Sequence, residues 1–168
     1  MRLRPHVHAS EMADICEAIR REEELPVAFP PEALEEAQRV TPTGEHEDML
    51  DVPFVTLDPP ASMDLDQAMA FEALGSGAIR VRYAIADVAA FVAPGSPLDE
   101  AARTRGTTVY CPDRRVPLHP VSLSEDRASL LPDEERVAVV FEVDGDIVGA
   151  VLKRDVRRAT IRSRQRFD

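Results

Sequence analysis

The sequence predicts an α+β protein: a helical segment over residues 1–45, then a β-rich body over residues 46–168 with a mostly antiparallel or mixed sheet. Three observations carry this reading. Apolar residues recur at helical spacing before residue 40, β-branched and aromatic runs separated by Gly, Pro and Asp take over from Val52, and an Asp-Gly pair sits between the last two runs. At 168 residues and 44% hydrophobic content the chain can bury one core, which excludes a disordered acidic tail.

The first helix is expected over residues 10–25. Ser10 serves as N-cap, Glu11 lies in the first turn, and Met12, Ile15 and Ile19 stand three or four residues apart. His6 and His8 precede it; with no second pair at ligand spacing they read as solvated terminal residues. Pro30 ends one element, and Pro31 suits the first turn of a short helix over PEALEEAQRV, which stops before TPTGEHED. Strands are expected over VPFVTL, IRVRYAIA, TTVY, RVAVVFEV and DIVGAVLKRDV, with Val143-Asp144-Gly145-Asp146 as a tight hairpin. LDEAARTRG reads as a short helix with a Gly stop, and SLSEDRASLL as a further helical candidate. Tyr83 and Phe91 read as core residues.

Charge is unevenly spread. The chain has a formal net charge of -11, yet residues 151–168 hold 7 basic and 2 acidic side chains, leaving 13 basic and 29 acidic in the first 150. Such acidity excludes a protein that coats nucleic acid indiscriminately, while the basic end is either a solvated face or an approach for a polyanion. If the last strand is regular, Arg154, Arg158, Arg162, Arg164 and Arg166 share one face. Cys16 and Cys111 show neither metal-ligand nor disulfide spacing, which suits a reducing, cytoplasmic setting. No apolar run, residues 137–141 included, approaches the roughly 20 residues that cross a bilayer.

The densest chemical feature is TLDPPASMDLDQAMAFE, with Asp58, Asp64 and Asp66 close together at the end of an apolar strand. Side chains alternate along an extended chain, so Asp64 and Asp66 point the same way, about 7 Å apart, and can reach one hard cation or a pair about 4 Å apart. Pro59 and Pro60 stiffen the loop that returns Asp58 to the same place, and Gln67 adds a neutral oxygen. The competing reading is an Asp-rich turn that caps local backbone groups.

These motifs occur in an order. TLDPPASMDLDQA, IADV, GSPLDEAARTRGTTVY and LSEDRASL, spread over residues 52–168, resemble the first half of the RNB catalytic domain of ribonuclease II-like exoribonucleases. The resemblance implies hydrolytic 3'-to-5' removal of nucleoside 5'-monophosphates from single-stranded RNA, with Mg2+, or Mn2+, at the aspartates. Asp58, Asp64 and Asp66 match the first three positions of the family's D-x5-D-x-D-D pattern; the fourth, a metal ligand in the family, is Gln67 here, which keeps an oxygen but loses a charge. Tyr110 falls where the family stacks an aromatic ring on the terminal nucleotides. Arg158, Arg162 and Arg164 are the expected backbone-binding cations. The chain is expected to be a truncated RNB domain, because the rest of the family's catalytic centre has no counterpart in it. Two alternatives stand beside a nuclease fragment: a non-catalytic remnant that binds RNA or a partner, and an unrelated Mg2+-dependent phosphatase or nuclease.

Overall fold

The computed structural model describes residues 9–168, so His6 and His8 lie outside the described residues. Helix α1 (Ala9–Glu22) ends earlier than its spacing predicts. Glu24 takes a positive φ of 51° and Pro26 cannot continue a helix. Its apolar stripe is also not its docking face. Met12, Ile15 and Ile19 are exposed, whereas Cys16 and Arg20 are buried, because Arg20 leans across to Asp113 at 2.7 Å. Helix α2 (Pro31–Arg39) begins on Pro31 as expected and buries Ala33 and Ala37.

The body runs through β1 (Glu47–Asp48), β2 (Phe54–Leu57), β3 (Gln67–Ala73), β4 (Ile79–Ala86), α3 (Pro97–Arg105), β5 (Val109–Tyr110), β6 (Arg115–Val116), β7 (Glu135–Gly145) and β8 (Val151–Phe167). Six strands form one sheet in the order β1-β8-β2-β3-β4-β7, and β7 also pairs with β8, which closes β2-β3-β4-β7-β8 into a small barrel. The sheet is mixed: β8 runs parallel to β1 and β2, and the other pairs are antiparallel. β5 and β6 make a separate two-stranded ribbon.

Alternation along the strands sends Ala68, Ala70, Ala84, Ala138, Val140, Ala159 and Ile161 inward with Phe54 and Leu65. A ring of so few strands is narrow, which explains the alanines. Toward one end the same inward rows turn ionic. Arg82 binds Glu142 at 2.8 Å and Arg80 binds Asp144 through two nitrogens, so the buried acids are each paired. A second apolar cluster lies outside the barrel, where α2 and α3 pack with Phe91, Leu123 and Val137. Phe91 is therefore core, as expected. Tyr83 instead lies half-buried on the outward face of β4.

The last hairpin turns two residues later than the Asp-Gly pair suggests. Asp144 and Gly145 remain in β7, held by the Arg80–Asp144 pair, and the turn is made by Asp146, whose Oδ1 accepts from Val148 and Ala150 N–H groups. Gly149 supplies the positive φ of 86°. Ser96 caps α3 and Gly106 ends it with φ 72°, while SLSEDRASLL forms a single wide helical turn over Leu123–Arg127. Among the described residues no helix is long and apolar enough to cross a membrane.

Candidate active site

Two anchors hold the aspartate loop. At its start, the Asp58 N–H donates to the Phe167 carbonyl of β8 at 2.9 Å. Arg166 reaches over the Pro59–Pro60 turn and donates to the Ser62 carbonyl at 2.8 Å and the Pro60 carbonyl at 2.6 Å. At its end, buried Ser129 accepts from Leu65 N–H at 2.9 Å and donates to the Met63 carbonyl at 2.6 Å, while Leu130 N–H donates to the Leu65 carbonyl at 2.7 Å. Leu65 plugs the barrel core, so the aspartates on either side of it remain outside. Loss of the Ser129 hydroxyl leaves a buried N–H and a carbonyl without their partner. Ser129→Ala is accordingly expected to lower the unfolding free energy by about 1–3 kcal/mol in urea denaturation, and a change near zero would mean that the clasp does not hold the loop.

The three carboxylates share one electrostatic neighbourhood. Burial pushes the Asp58 carboxyl above its ordinary range, the charges of Asp66 and Asp64 push it further, and Arg166 opposes them. An oxygen donor set under mutual repulsion fits a hard divalent cation in its chemistry. It does not close as a cage: among the described residues no three His, Cys, Asp or Glu side chains are placed to hold one metal ion. Asp64 is engaged instead by Arg115, whose Nη1 lies 2.8 Å from Oδ2 while Nη2 binds Glu125. Gln67 stands on the outward face of β3, one residue off inward Ala68, and its Oε1 accepts from the Tyr83 hydroxyl. The expected fourth oxygen is thus committed elsewhere, because strand alternation turns it away.

Asp64 and Asp66 open onto a cleft of about 210 Å3 whose wall includes Tyr110, Arg115 and His119. Tyr110 is 75% exposed, so its ring is not packed into the core. The β5–β6 register pairs Tyr110 with Arg115, so the two side chains stand on the same face of the ribbon. The ribbon tip is tied to α1, with Asp113 on Arg20 and Arg114 on Glu17 at 2.9 Å. His119 has a buried Nδ1 without a hydrogen-bond partner among the described residues, and burial lowers its pKa. Arg115, Ser129 and the loop-holding role of Arg166 escaped the sequence reading, since a lone arginine or serine carries no spacing signal.

The arginines of β8 do not form one face. Phe54 pairs with Ser163 but Val55 pairs with Gln165, so Arg164 is an extra, bulged residue. Beyond it the alternation inverts, and Arg166 comes to the side of buried Thr56 rather than that of Arg162. Most of this charge is already engaged. Arg158 binds buried Asp87 at 2.5 Å, Arg162 binds Glu135 at 2.6 Å, and Arg164 donates to the Leu50 carbonyl at 2.5 Å.

Comparison with known proteins agrees with this geometry. The family model described as RNB domain matches residues 46–168. Ribonuclease R of Acidithiobacillus ferrooxidans is 36% identical over 149 residues, covering 85% of this chain and 34% of that protein. An Arabidopsis thaliana protein described as inactive exonuclease DIS3L2 is 39% identical over 129 residues, covering 77% of this chain and 12% of its own length. Mycoplasma genitalium RNase R, solved in complex with ribose methylated single-stranded RNA, superposes with a TM-score of 0.86 at 29% identity, covering 93% of this chain and 25% of that one. The chain thus spans about a third or less of these relatives. With its family motifs in order, its barrel matching that of a solved RNase R, and nearly all of its β-rich body matched, the chain belongs to the RNB domain family.

Proposed function

We propose that this chain is part of a hydrolytic 3'-to-5' exoribonuclease that removes nucleoside 5'-monophosphates from single-stranded RNA in the cytoplasm. The observation that carries the reading is the cleft itself, in which two aspartates and an exposed tyrosine meet within an RNB fold. Asp58, Asp64 and Asp66 are the oxygen donors offered to Mg2+, or Mn2+ in its place, although as placed they do not close on one ion; such an ion would supply a polarised water and stabilise charge on the phosphate. The Tyr110 ring stacks a base of any identity, worth about 1–3 kcal/mol, which suits a nuclease indifferent to sequence. Leu65 and the Ser129 clasp keep the carboxylates in place while RNA enters.

A second reading, that this chain binds RNA without cutting it, is favoured by two observations. Asp64 is already neutralised by Arg115, and Gln67 replaces a carboxylate at the fourth motif position. Incubation of the purified chain with 5'-labelled single-stranded RNA in Mg2+, with EDTA as control, tests which of these activities the chain has by itself. The expected result is RNA binding with little release of mononucleotides. Robust Mg2+-dependent release would establish a competent active site in these residues alone, and absence of RNA binding under all conditions would remove both readings.

A further inference from the structure

The cleft that holds two carboxylates has to receive a polyanion, and among the described residues on its wall Arg115 is the one arginine or lysine. We propose that Arg115 is an RNA-phosphate ligand, held in reserve by Asp64 and Glu125, that works with Tyr110 as a one-nucleotide grip. The inference rests on the cleft being the RNA site and adds to it a residue and a mode of engagement.

Three features of the geometry support it. Tyr110 and Arg115 are directly opposed on β5 and β6, which puts their Cβ atoms about 4.5–5.5 Å apart with both side chains on one face. A base on the ring and its phosphate on the guanidinium are neighbouring contacts at that spacing. The guanidinium is a planar fork suited to phosphate oxygens, and its present partners are carboxylates that offer similar acceptors. Finally, the pair is not sealed: the side chains of Arg115 and Asp64 are 35% and 38% exposed, so exchange of one acceptor for another is cheap. Arg158, Arg162 and Arg164 lack this setting. Each is bound to a residue or carbonyl of the barrel or its loops, and none of the three lines the cleft.

The ribbon is also well placed to be steady while Arg115 swings. Cys111 N–H donates to the Arg114 carbonyl at 2.9 Å across the turn, and Asp113 and Arg114 are clamped to Arg20 and Glu17 of α1. The side chain can therefore change partners without the strand moving.

The test measures binding of a fluorescein-labelled oligoadenylate by anisotropy, without added divalent cation, across a salt series. Arg115→Ala is expected to weaken binding about fivefold and to flatten the slope of log K against log salt by about 0.7, the value for one phosphate contact on a single strand. Glu125→Gln keeps Arg115 but removes one of its two holders, and is expected to tighten binding, a gain that misfolding cannot produce. If the parent chain binds the oligonucleotide while Arg115→Ala matches it in affinity and slope, the phosphate role is overturned and the RNA cleft stands. If the parent chain does not bind, both fall.

Discussion

Phe54→Ala is expected to lower the unfolding free energy by about 3–5 kcal/mol in equilibrium denaturation, the largest loss of any single apolar truncation in the barrel. Phe54 is fully buried and is the bulkiest side chain in a core whose other buried residues are five alanines, two leucines, an isoleucine and a valine. Alanines cannot relax into the vacated volume, because each is already at the end of its reach from a paired strand. The cavity therefore persists, and its cost adds to the lost burial. Phe54→Leu keeps most of the volume and is expected to recover all but about 1.5 kcal/mol. The effect reaches the site, since β2 carries Phe54 at one end and leads directly into Asp58 at the other. A loss below about 1 kcal/mol for the alanine variant would show that the barrel closes around the gap.

Arg158→Glu is expected to cost about 3 kcal/mol of folding stability, through a mechanism unrelated to RNA. Asp87 is 4% exposed and its carboxylate is held by Arg158 at 2.5 Å, with His46 at 3.4 Å as the second contact. Removing the arginine leaves a buried carboxylate without its principal counter-charge, and a glutamate adds repulsion. The Arg158 side chain is 40% exposed, so the loss lies at the lower end of the range for buried pairs. Arg162→Glu is the control. Its partner Glu135 is 55% exposed, and that reversal is expected to cost about 1 kcal/mol or less. Equal losses in the two variants, measured by urea denaturation, would contradict this ordering. Reversals meant to probe RNA binding by β8 are best made at Arg162 and at Arg154, which is exposed and has no ion pair among the described residues.

Much of this protein was legible in its residues because the signals involved are local. Pro31 at a helix start, Gly106 at a helix stop and the unbroken IRVRYAIA run each act through their own backbone, and the structure places α2, α3 and β4 where they point. The ordered motifs likewise sufficed for the family, since the identity of Asp58, Asp64, Asp66 and Tyr110 does not depend on how they are arranged.

Arrangement was decided by partners distant in the chain. The Asp144-Gly145 pair reads as a turn only until Arg80, 64 residues away, holds Asp144 in the ladder. The stripe of α1 predicts its buried face until Arg20 finds Asp113, 93 residues on, and turns Ile15 and Ile19 to solvent. One bulged residue, Arg164, inverts the alternation of β8 and carries Arg166 to the aspartate loop. In each case a pairing between segments far apart in sequence outweighs a local preference of a few tenths to about 1 kcal/mol, and no spacing along one segment records that competition. The sequence by itself determined which chemical groups this protein has and the elements that carry them; the closed barrel determined which of them meet, because a strand's register and facing are set by the neighbour it pairs with.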